Sequence, residues 1–293
     1  MLSYQHEYHA GNHADVIKHL TLSLILESLC KKEKPFTIID THSGAGIFHL
    51  DDERLLKTGE AESGIKKIMR AEKENLPEAL LPYVNLESGY FSKGIYAGSP
   101  EIERRYLRDG DTAHFCELHP QAYEMLEKNM AHNPKGKIIL HKSDAYATLK
   151  ALTPPPVKRG LILCDPSYED ASDYSAVTKA LKEAHKKWNT AIIALWYPLL
   201  LRRKNETAKM ISELDVAAKL GTNPSETANF TLTIFDEDSV PDSLQTETGP
   251  HLYGSGMFVI NPPWLLKEKM DTVKDYLKNL TAPRSTKAEV IGS

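Results

Sequence analysis

The four residues Asp165-Pro166-Ser167-Tyr168 directly follow the apolar run Leu161–Cys164. At such a turn the Asp165 carboxylate and the Pro166 carbonyl are two hydrogen-bond acceptors, and the ring of Tyr168 is a flat face. An amino group on an aromatic base is a poor nucleophile because its lone pair is conjugated into the ring. An enzyme that alkylates it needs acceptors for both N–H bonds and a surface on which the base stacks. These residue types in this order predict such a site.

The turn is close to the motif [Asp/Asn/Ser]-Pro-Pro-[Tyr/Phe/Trp] of methyltransferases that act on amino groups, with Ser167 in place of the second proline. Since both acceptors and the ring remain, we predict that Asp165, Pro166 and Tyr168 are catalytic. The stretch Asn-Pro-Pro-Trp at 261–264 fits the motif better, but it follows the last predicted strand. A late strand lies farther from a cofactor loop on the first strand. We therefore interpret 261–264 as a structural turn or a wall of the pocket.

A glycine-containing loop, Asp40-Thr-His-Ser-Gly44-Ala-Gly46, follows the first predicted strand. Its glycines allow a tight turn and a close approach of the backbone to a ligand. A dinucleotide-binding loop has another glycine three residues further on, where this chain has His49, so NAD and FAD are not favoured. The spacing Asp-x-x-x-Gly-x-Gly is typical of the S-adenosylmethionine loop of methyltransferases. Asp40, Gly44 and Gly46 are therefore predicted to bind that cofactor.

Acidic residues also follow the next two predicted strands. Glu117 ends the second strand, where a carboxylate can accept hydrogen bonds from both hydroxyls of a ribose. Asp144 follows the third strand, where its carboxylate or the adjacent amide of Ala145 can contact an adenine edge. Acids at successive strand ends, with Asp165 after the fourth, predict one nucleoside-containing cofactor at one edge of a sheet.

The elements that must position these residues are apolar, β-rich runs separated by helical patterns. This alternation predicts an α/β fold with a seven-stranded, mostly parallel sheet; the runs are residues 36–39, 113–116, 137–140, 160–164, 191–196, 230–235 and 257–260. About sixty residues between the first two runs contain helical patterns, including one over 59–75 and one from Ser99, where Ser99 is predicted to cap the helix and Pro100 to occupy its first turn. We predict an inserted helical subdomain over 50–110.

Composition sets the broad class of protein. The chain has 293 residues and is 41% hydrophobic, enough to bury a substantial core. The N-terminal residues lack the basic and apolar regions of a signal peptide, and no apolar run approaches the roughly 18 residues that cross a bilayer. We therefore expect a cytoplasmic protein with no membrane partner. Cys30, Cys116 and Cys164 are widely spaced in apolar sequence, which indicates reduced thiols.

Charge alone does not decide the partner, because the formal net charge is −4 and the pI is about 6.3. Basic residues cluster at Lys66–Arg70, Arg104–Arg108 and Arg202–Lys204. Each cluster taken singly is more often a solvated helix face than a phosphate site. If the partner is RNA, we predict that the clusters on the insertion and near Arg202 hold its phosphates.

Histidines in the N-terminal segment invite a metal interpretation. His9 and His13 are four residues apart, but the intervening Ala-Gly-Asn is an unfavourable helix interior, and no His-Glu-x-x-His pattern occurs. We therefore predict no metal, and interpret this segment as one that folds over cofactor and substrate.

Seven stretches together resemble the RlmJ family of bacterial ribosomal RNA large subunit methyltransferases, and the resemblance covers nearly the whole chain. They are MLSYQHEYHAGNHADVIKH, DTHSGAG, AGSP, CELHP, DPSY, LWYP and INPPW. The first is the most specific. The resemblance implies a Rossmann-like class I fold over residues 1–49 and 111–293, with residues 1–20 covering the site and the helical insertion between.

The resemblance also implies the reaction: transfer of a methyl group from S-adenosylmethionine to the N6 of adenine 2030 in 23S rRNA. It implies a monomer with no obligate protein partner and no metal. It implies that Tyr4, His6 and Tyr168 lie near the substrate base. It also implies cofactor contacts beyond those predicted above, namely Lys18, His19, His42, Ser99 and Asp165. Ser167 departs from the family's usual proline, and Ala145 from a common glycine.

Two alternatives stay open. The same acceptor chemistry serves methyltransferases that act on adenine in DNA or on a glutamine side chain. A non-catalytic RNA-binding module could also keep the fold, although intact acids at successive strand ends argue against it.

Overall fold

A computed structural model describes residues 9–132, 135–220, 222–235 and 252–281. The strands are β1 (Thr37–Asp40), β2 (Ile47–His49), β3 (Ile95–Ala97), β4 (Thr112–Cys116), β5 (Lys137–His141), β6 (Gly160–Cys164), β7 (Ile192–Leu199), β8 (Thr227–Thr233) and β9 (Gly254–Ile260). The helices are α1 (His13–Cys30), α2 (Glu53–Thr58), α3 (Glu60–Ser63), α4 (Ile65–Arg70), α5 (Leu81–Phe91), α6 (Ser99–Tyr106), α7 (Pro120–Met130), α8 (Ala145–Leu152), α9 (Ala171–Lys187), α10 (Lys204–Lys219) and α11 (Leu266–Thr281).

Seven strands form one sheet in the order β5-β4-β1-β6-β7-β9-β8. The first five of these are parallel, and β9 runs antiparallel to both of its neighbours. Each predicted strand is present within a few residues of its predicted position, and the predicted α/β, Rossmann-like, mostly parallel sheet is confirmed. Because the parallel strands share one direction, the residues that follow β1, β4, β5 and β6 meet at one edge.

Helix α1 is buried on almost all sides. Its residues from His13 to Leu26 are buried, and it packs against β9, α5 and α6. The helix begins at an Asn12 cap, whose Oδ1 accepts hydrogen bonds from the backbone N–H groups of Ala14 and Asp15 at 2.9 and 3.0 Å. The burial carries the polar side chains of Lys18 and His19 into the interior.

The segment between β1 and β4 differs in detail from the prediction. The helix predicted over 59–75 is interrupted at Gly64, where a Cβ atom would lie 2.1 Å from the carbonyl oxygen of Gly11. Strands β2 and β3, which were not predicted, pair with each other. Ser99 is the first residue of α6 and Gly98 caps it, so the predicted cap at Ser99 was wrong. The boundaries of a separate subdomain over 50–110 stay a prediction.

The N-terminal segment is fastened to the helices that follow β2. The Glu60 carboxylate contacts His9 Nδ1 at 2.9 Å and accepts a hydrogen bond from Asn12 Nδ2 at 2.8 Å. The backbone N–H of Ile65 donates to the Gly11 carbonyl at 2.8 Å. The start of α1 is thus held by residues about fifty positions further along the chain.

Two broader observations concern the whole described chain. Across its four described ranges, no helix has the length and apolar character needed to cross a membrane. Cys30, Cys116 and Cys164 are free thiols, as predicted, and the latter two are buried.

Candidate active site

A cavity of about 310 Å³ opens at the carboxyl edge of the parallel strands. Most of the predicted site residues line it, although they come from six separate parts of the chain. They are Lys18, His19, His42, Gly44, Ser99, Glu117, Asp144, Ala145, Asp165 and Pro166. The convergence of polar groups predicted at successive strand ends is therefore present in the structure.

Asp165 is held by a buried lysine. Its Oδ2 lies 2.5 Å from Lys18 Nζ, and the same ammonium lies 2.8 Å from Asp15 Oδ1. Burial lowers the pKa of Lys18, but the two carboxylates together raise it above its ordinary value, so the lysine stays charged. The ammonium fixes one oxygen of Asp165 and leaves the other for a ligand. Lys18 was predicted as a cofactor contact, and its ammonium is already shared between two carboxylates.

Glu117 and the glycine loop are joined by backbone hydrogen bonds. The Glu117 carboxylate accepts from Gly44 N at 2.8 Å and from His119 N at 2.7 Å, one bond on each oxygen. A carboxylate has about four acceptor positions, so two remain for a diol. Gly44 and Gly46 have φ of 61° and 78°, which side chains disfavour. The predicted tight turn is confirmed; Gly46 itself lies behind the lining residues.

The third strand end forms the other wall. Asp144 caps α8, with Oδ1 accepting from Ala147 N at 2.8 Å, and Ala145 is the first residue of that helix. His42 approaches Tyr146 edge-on at 5.7 Å between ring centroids. Burial lowers the pKa of His42 to about 4, so the imidazole is neutral at pH 7. This wall offers uncharged rings beside a hydrogen-bonding edge, which suits a flat heterocycle.

Asp40 lies beneath the cavity rather than in its lining. It is fully buried and accepts hydrogen bonds from Ser99 Oγ at 2.7 Å and His42 N at 3.2 Å. Burial raises the pKa of Asp40 to about 7. A direct cofactor contact by Asp40 stays a prediction. In this structure the Asp40 carboxylate holds two residues that line the cavity, Ser99 and His42.

The raised pKa of Asp40 predicts a pH-dependent stability. Between about pH 4 and pH 7 the unfolded chain loses this proton while the folded protein keeps it, so stability falls as pH rises. Asp40→Asn removes this linkage. The free energy of unfolding of the variant, relative to wild type, should therefore increase with pH across this window, by at most about 1.4 kcal/mol per pH unit. Urea denaturation at several pH values measures it, and a difference independent of pH would contradict the assignment.

Tyr168 is placed differently from the other predicted catalytic residues. It has φ of 51° and is 4% exposed, and its hydroxyl donates to the Trp196 carbonyl at 2.9 Å. Its ring packs on Tyr174, with centroids 4.6 Å apart, and does not line the cavity. Stacking of a base on Tyr168 stays a prediction, and it requires the ring to turn outward.

The remaining predicted residues divide into two groups. Tyr4 and His6 lie outside the described residues. His19 lines the cavity, and its Nδ1 lies 2.6 Å from the Tyr96 hydroxyl. In the described ranges, no three His, Cys, Asp or Glu side chains are grouped to hold a metal ion.

Sequence reasoning missed two neighbours of the Asp165–Lys18 pair. Asp15 lies three residues before Lys18 on α1, and this spacing, which places both side chains on one face of a helix, was the signal that could have identified it. Trp196, whose ring centroid lies 6.0 Å from Lys18 Nζ, stands towards the end of β7. Because β7 is the neighbour of β6 in the sheet, residues near the end of β7 were candidates for a place beside Asp165.

The Asn261–Trp264 turn lies at the opposite edge of the sheet. Strand β9 runs antiparallel to β7, so Ile260 pairs with Ile193 near the start of that strand. Asn261 Nδ2 donates to the carbonyls of Asn189 and Ala191 at 2.7 and 2.8 Å. The length of a strand therefore separates this turn from Asp165. The turn is remote because β9 runs antiparallel to β7, and not because β9 is a distant strand of the sheet.

Arginines of the predicted basic clusters form ion pairs within the protein. Arg104 forms an ion pair with the buried carboxylate of Glu101, and Arg108 pairs with Asp111 and donates to the carbonyl of Lys32. Arg203, which follows β7 at the cavity edge, pairs with Glu206 at 3.0 Å. Arg104 and Arg108 are thus structural in part, which weakens their predicted role as phosphate contacts.

Comparison with known proteins decides the family. The family model described as Ribosomal RNA large subunit methyltransferase D, RlmJ, matches residues 33–291. The chain belongs to this family. The predicted resemblance and the predicted enzyme class, a methyltransferase, are both confirmed.

Individual relatives match over nearly their whole length. Ribosomal RNA large subunit methyltransferase J of Escherichia coli K12 is 39% identical over 289 residues, 98% of this chain and 96% of the relative. The Haemophilus influenzae protein of the same name is 38% identical over 290 residues, with the same two shares. A crystal structure of a Legionella pneumophila protein has a TM-score of 0.81 at 32% identity, covering 94% of this chain and 95% of that one. The fold described above is therefore that of the family.

Proposed function

We propose that this protein transfers a methyl group from S-adenosylmethionine to the exocyclic N6 of one adenosine of 23S rRNA, adenine 2030. The observation that carries the proposal is the Asp165 carboxylate, held by Lys18 in the same cavity as Glu117 and Asp144. Membership in a family of ribosomal RNA methyltransferases supports RNA as the substrate.

The residues of the cavity fit the cofactor. Positive φ at Gly44 leaves the loop without a side chain where a ligand approaches, and Glu117 has acceptor positions left for a ribose diol. Asp144 and the Ala145 amide, beside the rings of His42 and Tyr146, fit an adenine. When bound, the cofactor supplies an electrophilic methyl on a sulfonium, which needs little further activation.

The work of the protein is then to orient the amino group. Asp165 is anchored through one oxygen to Lys18, so its other oxygen is an acceptor in a fixed position for one N–H of the base. The Pro166 carbonyl is the second acceptor. Together they restrain the N6 lone pair towards the methyl group, and alignment of two reactants in this way can supply a large part of a rate enhancement. The target base must leave its stack to reach this strand-end cavity.

The ribose contact can be tested alone. Glu117→Ala should weaken binding of S-adenosylhomocysteine by about 1.5–3 kcal/mol, the loss expected for hydrogen bonds to a charged group. Isothermal calorimetry measures it, with Glu124→Ala on the surface of α7 as the control. Unchanged affinity in Glu117→Ala would show that the ribose lies elsewhere.

The proposed reaction is tested by its product. Tritiated S-adenosylmethionine and the protein are incubated with 23S rRNA, with adenine-containing DNA and with a glutamine-containing polypeptide. Label should enter the rRNA alone, and digestion should recover it as N6-methyladenosine at one position. Label in DNA or polypeptide would favour the alternative methyltransferase activities, and no label in any of them would favour a non-catalytic RNA-binding module.

A further inference from the structure

An exposed tryptophan stands at the edge of the sheet opposite the cavity. Trp264 is 87% exposed and follows two prolines in the turn after β9. Asn261 and Leu265, on either side, have positive φ of 55° and 66°. Asparagine adopts this region readily, but at Leu265 such backbone costs about 1–3 kcal/mol, and strain of this kind occurs preferentially at functional sites. A turn between a strand and a helix requires neither this strain nor an indole in solvent.

The same edge is basic. All five connections from a helix into a parallel strand lie here. Counted from the last helical turn to the first strand residue, they contain 14 lysines and arginines against six acidic residues, in a chain with a net charge of −4; they are residues 27–37, 103–112, 127–137, 149–160 and 184–192. Positive charge is therefore concentrated away from the cavity.

Several of these lysines are available to a partner. Lys34, Lys158 and Lys186 are exposed, and none of them forms an ion pair with an acidic side chain in the part of the chain that the structure describes. Arg159, by contrast, donates to the carbonyls of Leu29 and Lys34 and is structural. Lys34 and Lys158 lie just before β1 and β6, and Lys186 lies in the last turn of α9, which leads into β7. These three strands are neighbours in the sheet.

Hydrogen bonds connect the tryptophan turn to the basic loops. The Asn261 side chain is bonded to the carbonyls of Asn189 and Ala191, as described above. Next to them, Trp188 Nε1 and Thr190 Oγ1 donate to the Lys158 carbonyl at 3.0 and 2.9 Å. The turn that carries Trp264 is thus fastened at Asn261 beside the start of β7, and the same loop is bonded to the loop of Lys158 before β6.

The described lining of the cavity lacks the free cations that this edge provides. Carboxylates of Glu117, Asp144, Asp165 and Glu169 line the cavity, and Lys18, the one lysine or arginine among its described lining residues, is paired. An acidic cavity lining repels an RNA backbone, so a long RNA needs cations outside the cavity. The two edges are separated by the length of one strand, about 17 Å for five residues. A nucleic-acid duplex carries roughly ten phosphate charges over that distance, so one RNA can reach both edges.

We propose that the edge opposite the cavity is a second RNA-docking surface, in which Trp264 stacks on an unpaired base and Lys34, Lys158 and Lys186 contact phosphates. Exposed aromatic rings next to cations are the means by which proteins hold single-stranded nucleic acid. This inference rests on the proposed function, since that function makes rRNA the polyanion at hand. The surface positions the RNA, whereas the cavity acts on the base.

Filter binding of full-length protein to transcribed 23S rRNA over a series of salt concentrations tests the surface. Trp264→Ala should lower affinity about 5- to 150-fold, the range for one stacked base, and Trp264→Phe should retain most of it. Lys158→Glu/Lys186→Glu should lower affinity and reduce the slope of log affinity against log salt by about 1 to 2. The matched control is Lys93→Glu/Lys274→Glu, which changes the net charge equally at exposed positions on other elements.

Calorimetry with S-adenosylhomocysteine should give wild-type affinity in all four variants, which shows that the cavity is intact. If either Trp264→Ala or the Lys158/Lys186 variant binds rRNA as tightly as the control, the assignment is overturned, and the edge is then a candidate face for an acidic protein. A wild-type protein that binds rRNA but transfers no methyl to it would overturn the proposed function and leave the binding test intact.

Discussion

Asp165→Asn should reduce single-turnover methyl transfer by at least about 100-fold, while affinity for S-adenosylhomocysteine stays close to that of wild type. Removal of one pre-oriented electrostatic group from a buried site costs about 100- to 1,000-fold in rate. The asparagine carbonyl would accept from the Lys18 ammonium, so its NH₂ would face the N–H bonds of the substrate amine. Two donors would then oppose each other where the reaction needs a donor and an acceptor.

The matched variant is Asn261→Ala, at the other occurrence of the motif. It removes two hydrogen bonds that fasten a turn, so it should cost roughly 1–3 kcal/mol in stability and spare the chemical step at saturating RNA. Rates are compared on folded protein with saturating cofactor. If Asn261→Ala abolished transfer and Asp165→Asn did not, the reaction site would have been assigned to the wrong edge of the sheet.

Lys18→Met should lower the free energy of unfolding by about 3–5 kcal/mol and also abolish methyl transfer. The methionine has nearly the same length but leaves Asp15 and Asp165 buried without a cation, and breaking a buried ion pair from one side is destabilising to this degree. Without the ammonium, the Asp165 oxygen that accepts from the substrate amine also loses its fixed orientation. Urea denaturation and single-turnover kinetics on the same preparation measure the two effects.

An exposed ion pair provides the control for this effect. Lys182 lies 3.3 Å from Glu213, with both side chains about 40% exposed, and Lys182→Met should change stability by no more than about 1 kcal/mol. Adding Asp165→Asn to Lys18→Met should restore part of the stability and none of the activity. Lys18→Met with wild-type stability and wild-type transfer would show that the ion pair is incidental.

The strand-end residues could be predicted from the sequence because two simple regularities fix them. Apolar runs alternating with helices imply parallel strands, and the carboxyl ends of parallel strands meet. Glu117 and Asp165 follow such a run directly and Asp144 follows one after three intervening residues, so their convergence needed little knowledge of the loops. The tight turn at Gly44 and Gly46 was predictable because glycine residues next to a strand end favour positive φ, which both adopt.

Other features depend on contacts between distant parts of the chain. The pairing of Lys18 with Asp165 joins residues 147 positions apart, and nothing in either local sequence specifies it. An apolar run is the same in both directions along a strand, so the antiparallel direction of β9 could not be predicted. That direction alone decides which edge Asn261 occupies. The break at Gly64 likewise follows from the passage of a second backbone, at Gly11, rather than from helix propensity.

The backbone contact between Gly11 and Gly64 bears on how the protein opens. Ile65 N–H donates a hydrogen bond to the Gly11 carbonyl, and at Gly64 the two backbone segments are too close to leave room for a Cβ atom. Local unfolding occurs in contiguous cooperative units, and neither segment can separate here without exposing the hydrogen-bonding groups of the other. We therefore expect the start of α1 and the helices after β2 to open together as a single unit. Lys18 lies less than two turns beyond Gly11, so the Asp165 carboxylate, the proposed catalytic group, is secured by a unit whose other half lies in the sequence between β1 and β4.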